Sequence, residues 1–195
     1  MAEGRTEPLA LSQKLALVRA SLATVFEDLA HVAAGPEGEW GEVDLGPGLE
    51  RAWRLATLGL PAGVDQHLNL TPLPPVWGAA GELELAGLYL LSFARELTPP
   101  DGDLGLTAAP TPAGGVLLTV WFSGEPRSEA ECREWLNPFG DPAGLQGGLG
   151  PALAGAIAAQ HGGSLAAAPR EDGGAEFSLE LPPPAAARGP HEPDR

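Results

Sequence analysis

Positive charge is scarce in this chain: 11 Lys and Arg residues stand against 26 Asp and Glu, for a formal net charge of −15. Nucleic-acid and anionic-membrane binders need concentrated positive charge, so both classes are excluded. Lys14 is the only lysine, which leaves no other lysine to clamp a phosphate. Cysteine is equally rare. Cys132 stands alone, allows no internal disulfide and suits a reducing cytosol. With no second cysteine to support it, it reads as a packing residue rather than a nucleophile or metal ligand. Long apolar runs are also missing, and the opening MAEGRTEP is too polar for a signal peptide. The expected location is the cytoplasm, away from membranes.

What the chain does contain is enough for one globular domain. It has 195 residues, of which 44% are hydrophobic, and no internal repeat. Residues 1–8 are expected to be disordered, as is the Pro/Ala-rich tail 183–195. Leu11, Leu15, Val18, Leu22, Val25, Leu29 and Val32 step by three and four, which predicts one long helix over Leu9–Ala34 ended by Gly35-Pro36. Such a seam calls for a partner, either the body of the domain or the same helix of a second copy. The segment 9–40 is assigned to this helix and its exit, and 41–182 to the domain proper.

Within 41–182 the patterns predict helices over Gly48–Leu58, Gly81–Leu97 and Pro151–Gln160. Strands are expected over Val64–Leu70, Leu104–Ala108, Val116–Phe122, Ser164–Ala168 and Ala175–Leu181, with an antiparallel hairpin between the second and third. The order predicts an α+β fold, a two-layer sandwich with helices on one face of a largely antiparallel sheet.

Four stretches then resemble the C-terminal half of a sensor histidine kinase, its second dimerisation helix followed by a Bergerat-fold ATP-binding domain. EDLAHVAAG (27–35) resembles the end of the dimerisation helix, and EVDLGPGLERA (42–52) the start of the ATP-binding domain. GAAGELELAGLYLLSFARELTPPDG (78–102) resembles the asparagine-box helix. GGLGPALAGAIAAQHGGSLAAAPREDGGAEFSLELP (147–182) resembles the second glycine box and closing sheet. The last is the most specific, because G-L-G, H-G-G, G-G and F-x-L-x-L-P run in register.

The resemblance also locates what has been replaced. In the family the second asparagine of that helix ligates magnesium; Phe93 holds its place, and Tyr89 that of the earlier asparagine. Magnesium wants oxygen ligands in octahedral geometry, and Phe93 offers none. The family's D-x-G-x-G aspartate, which pairs with the adenine amino group, is Phe122 in the stretch FSGEP, and its second glycine is Pro126. Losing that acceptor leaves adenine's donor unpaired, at a cost of about 1–3 kcal/mol. The glycine loop is better kept. Gly147, Gly148 and Gly150 can present backbone N–H groups at a helix N-terminus, although Gln146 replaces the first glycine and Pro151 removes one donor.

The phosphoacceptor helix of the family is not found before Leu9, and His31 lies in the second helix, where it reads as solvated. His161 in H-G-G reads as structural; His67, on a strand, and His191, in the tail, have no supporting cluster. The acids Glu82 and Glu84, and Glu129, Glu131 and Glu134, read as solvated faces rather than metal ligands. Phe93 and Phe122 are expected to fill the nucleotide cavity as core, with Trp121 turned outward. The resemblance thus implies a non-catalytic, histidine-kinase-like signalling protein with no cofactor and no bound metal. It implies a homodimer whose partner is a response regulator, a histidine kinase or a similar component. The alternatives are a module that still binds ATP with magnesium through Gly147, Gly148 and Gly150, or a histidine phosphotransferase using His31.

Overall fold

A computed structural model of the chain describes residues 39–138 and 149–184. The expected helix over Leu9–Ala34 with His31, the glycines Gly147 and Gly148, and most of the tail with His191 lie outside those residues.

The elements run β1 (Trp40–Val43), α1 (Leu45–Thr57), β2 (Asp65–Leu70), β3 (Val76–Ala79), α2 (Ala80–Leu97), β4 (Asp103–Pro110), β5 (Val116–Phe122), α3 (Glu129–Glu134), α4 (Gly150–Gln160), β6 (Ser164–Pro169) and β7 (Ala175–Leu181). Five strands form one sheet in the order β2-β4-β5-β7-β6, and β1 and β3 form a separate antiparallel ribbon. The hairpin β4–β5 pairs antiparallel, as do β5–β7 and β6–β7, while β2 joins β4 in parallel. The expected α+β sandwich of the Bergerat type is therefore present. The parallel edge and the ribbon are additions to it.

Local chemistry sets the element ends. Asp44 caps α1 by accepting the Gly46 N–H at 3.0 Å, and Pro47 fits the first turn, so the helix starts three residues before the expected Gly48. Its buried face is Leu45, Leu49, Ala52, Trp53 and Ala56. That face meets α2 at Gly87, where an added Cβ would lie 3.2 Å from the Leu49 side chain. Helix α2 ends where the Thr98 hydroxyl donates to the Ala94 carbonyl at 2.8 Å, just before Pro99 and Pro100. Gly162, with φ 72°, lets the chain leave α4 in the left-handed conformation that glycine adopts freely.

Alternation along the strands decides which sheet face is covered. Leu104, Leu106, Val116, Leu118, Val120, Phe122, Phe177 and Leu179 are buried under the helices. The opposite face carries mostly small and polar residues, together with Leu117 and Trp121. One row across it reads His67, Gly105, Trp121, Glu176, Ala168. No helix is long and apolar enough to cross a membrane among the described residues.

Candidate functional site

Two of the positions that the sequence marks as altered, Phe93 and Phe122, come together between α2, β5, β7 and the end of α3. Phe93 faces inward from α2 and Phe122 from the last residue of β5, and both are almost fully buried. Between them sits Trp135, the residue that closes α3, with Phe177 of β7 beneath. Phe93 meets Trp135 edge-on with centroids 5.2 Å apart, and meets Phe177 in the same way at 5.6 Å. Trp135 lies 5.8 Å from Phe177 and 6.2 Å from Phe122. Edge-to-face and tilted pairs at these separations are the favoured aromatic geometries. The core reading of Phe93 and Phe122 therefore holds. Trp135 and Phe177 are the cluster members the sequence reading missed; the F-x-L-x-L alternation was the available signal for Phe177.

A short capped helix aims Trp135 inward. The Ser128 hydroxyl accepts the Glu131 N–H at 3.2 Å, and the Glu131 carboxylate accepts the Ser128 N–H at 2.8 Å, a reciprocal capping box. The Ser128 N–H, and next its hydroxyl, hold the Glu131 carboxyl below the usual glutamate range. Cys132, on the inward side of the same turn, is fully buried. Burial, with the nearby Glu131 charge adding to it, pushes its thiol up, away from the thiolate that nucleophilic chemistry needs. The Arg127 guanidinium lies over Trp135 at 5.8 Å and pairs loosely with Glu131 at 3.8 Å.

Gly150, the described member of the glycine loop, opens α4 and packs on α2. An added Cβ there would lie 2.8 Å from the Tyr89 carbonyl oxygen and 3.6 Å from the Phe93 Cβ. The structure thus brings Gly150, Tyr89 and Phe93 to one place. Pro151 occupies the first turn of α4, and no side chain caps Leu149. Among the described residues, aromatic side chains pack around Phe93, with the Arg127 guanidinium over Trp135. No group of three or more His, Cys, Asp or Glu side chains is arranged to hold a metal among the described residues.

The remaining candidates separate by environment. His161 is structural as expected: it is buried, takes the Ala79 N–H on Nε2 at 3.1 Å and donates from Nδ1 to the Ile157 carbonyl at 2.8 Å. The expectation of a solvated Glu82 is corrected. It is only 4% exposed and lies 4.0 Å from His161 Nε2, because it shares the inward face of α2 with Leu83 and Ala86. Glu84 pairs with Arg51, whose Nε donates to both carboxylate oxygens at 3.1 Å. Glu129 and Glu131 are exposed on α3 and Glu134 half-buried.

His67 also requires correction, since the parallel β2–β4 register gives it a cluster. Its Nε2 lies 2.9 Å from Asp103 Oδ1, and its ring stacks on Trp121 at 5.2 Å. Trp121 lies flat over Gly105, where any Cβ would overlap the indole, and the Arg170 guanidinium covers it at 4.3 Å. It is consequently half-buried rather than exposed. Asp172 fixes Arg170 with two hydrogen bonds, and its own carboxyl is lowered by them.

No family sequence profile and no curated protein sequence matches the chain. Solved structures of histidine kinases do. The mycobacterial sensor histidine kinase MprB superposes with a TM-score of 0.65 at 22% identity, over 74% of this chain and 99% of that one. Full-length ShkA in complex with AMPPNP superposes with a TM-score of 0.71 at 23% identity, over 93% of this chain and 40% of that one. ThkA in complex with the response regulator TrrA gives a TM-score of 0.68 at 20% identity, over 91% of this chain and 52% of that one.

Proposed function

The chain has the fold of a histidine-kinase ATP-binding domain, and from that premise we propose that it is a non-catalytic signalling protein working through protein contacts. The observation that carries this reading is the packing of Phe93 and Phe122. At the positions where the resemblance calls for a magnesium ligand and an adenine acceptor stand two buried rings locked by Trp135 and Phe177. A ring in place of an amide or carboxylate removes the polar contact and fills the space it served. Gly150 packs beside them, against the Tyr89 carbonyl and the Phe93 Cβ.

The proposed partner is a response regulator or a histidine kinase. Support comes from ThkA, which binds the response regulator TrrA on a similar fold. The apolar seam of residues 9–34 is the proposed homodimer surface, and Leu22→Asp tests it: light scattering should fall from twice the chain mass to one.

The deciding experiment is a calorimetric titration of the whole protein with ATP and magnesium. No saturable heat at millimolar nucleotide is the expected result. Magnesium-dependent binding would overturn the proposal and return the reading to an ATP module served by Gly147, Gly148 and Gly150.

A further inference from the structure

Helix α1 buries one side and leaves the other bare. Leu49, Ala52, Trp53 and Ala56 face the core, while Arg51, Arg54, Leu55 and the C-cap Leu58 follow the outer side at spacings of three and four. Leu55 is 56% exposed and Leu58 74%, the highest values among the large hydrophobic side chains described. The end of the helix is fixed with Leu58 held outward. The Thr57 hydroxyl donates to the Trp53 carbonyl at 2.9 Å, Arg95 of α2 donates to the Ala56 carbonyl at 3.0 Å, and Gly59 turns the chain with a φ of 74°. Positive charge gathers at the same place. Arg51 is engaged by Glu84, but Arg54 has no hydrogen-bond or ion-pair partner among the described residues.

We infer that this stripe is a docking surface for an acidic, apolar helix of another protein, with Leu55 and Leu58 as anchors and Arg54 as the charge that selects it. Residues at i, i+3, i+4 and i+7 form the face on which one helix receives another. The free guanidinium sets the sign of the partner: it attracts a carboxylate, which it can hold through two parallel hydrogen bonds. A second copy is the wrong occupant. It would bring the same arginines against these ones, on a chain that already carries −15. That net charge also repels an anionic membrane. Two leucines make a small contact, so the binding is weak and transient. The inference rests on the proposed action through protein contacts, yet its test does not depend on the nucleotide pocket.

The whole chain, isotopically labelled for NMR, is titrated with a peptide of about 15 residues that carries leucines at i, i+3, i+4 and i+7 between glutamates, and with a twin that carries lysines in their place. The glutamate peptide should move the amide signals of residues 51–59 saturably and leave those of β5 and β7 where they are. Leu58→Ser should weaken it about 5- to 10-fold without disturbing the fold, since the side chain is exposed. Arg54→Glu should weaken it by a similar factor and make the lysine peptide the better ligand. Equal affinity of the original and variant chains for the glutamate peptide would overturn the inference. So would shifts centred elsewhere, none at millimolar peptide, or binding to anionic vesicles but not to the peptide. Saturable ATP binding with the peptide shifts intact would instead end the non-catalytic reading and leave this surface standing.

Discussion

Replacing Phe93 by alanine tests the packed pocket most directly. The side chain is 1% exposed and its ring has aromatic partners on two sides, Trp135 and Phe177. Truncation forfeits the burial of the ring and leaves a cavity, which together cost about 3–5 kcal/mol in well-packed cores. Of that, each edge-to-face contact accounts for about 0.5–1.5 kcal/mol. A domain of this size is stable by about 5–15 kcal/mol, so the variant should survive at reduced stability. Urea unfolding followed by circular dichroism measures the loss. At a slope of about 1–3 kcal/mol per molar, the midpoint should fall by at least 1 M with the slope unchanged. Phe93→Leu, which keeps most of the volume, should lose less than half as much. A loss below about 1 kcal/mol for Phe93→Ala would refute the reasoning, because only a ring at the wall of an open pocket gives way so cheaply.

Gly150→Ala should destabilise the domain by about 1–3 kcal/mol, since the new methyl meets the Tyr89 carbonyl at 2.8 Å and neither helix backbone can give way easily; a neutral result by thermal melting would place α4 further from α2. Cys132, buried and with its thiol pushed up, should react with a disulfide reagent at pH 8 no faster than the domain unfolds; immediate labelling would contradict its burial. The carboxyl of Glu131 is lowered by Ser128, so its stabilising effect is present above the unfolded glutamate value and is lost as pH falls through the folded one. Glu131→Gln, which removes the charge and keeps an acceptor, should accordingly cost stability at neutral pH and less in acid, with the unfolding midpoints of the two proteins converging as pH falls.

The sequence made the elements legible wherever period and punctuation agreed. Val116–Phe122 and Ala175–Leu181 alternate cleanly and fall where the pattern puts them, and α2 closes at the Thr-Pro-Pro that marks its end. The ribbon strands β1 and β3 were not legible. Each has four residues, and WGEV and VWGA carry a glycine that weakens any strand signal. The parallel pairing of β2 was hidden for another reason: strand direction is set by the path through α2, which no local pattern encodes. In the candidate site, Phe93 and Phe122 were found through the residues they replace. Trp135 was missed because its burial depends on a short helix held by a Ser128–Glu131 cap. His67 lacked an apparent cluster because Asp103 and Trp121 reach it only through the register of three strands.

Strand β2 has a consequence for the protein at high concentration. It is an outer strand of the five-stranded sheet, with one side of its backbone unpaired by any strand among the described residues. Unpaired strand edges are templates on which further chains can add, the usual start of fibrous aggregation. This one is poorly suited to that. Asp65 stands at its first position, His67 is tied sideways to Asp103, and Pro72, Pro74 and Pro75 follow within a few residues of its end. A second strand laid along it would meet a carboxylate at one end and backbone without donors beyond the other. Along β2, an acidic start and a proline-rich exit thus both oppose the addition of a further strand.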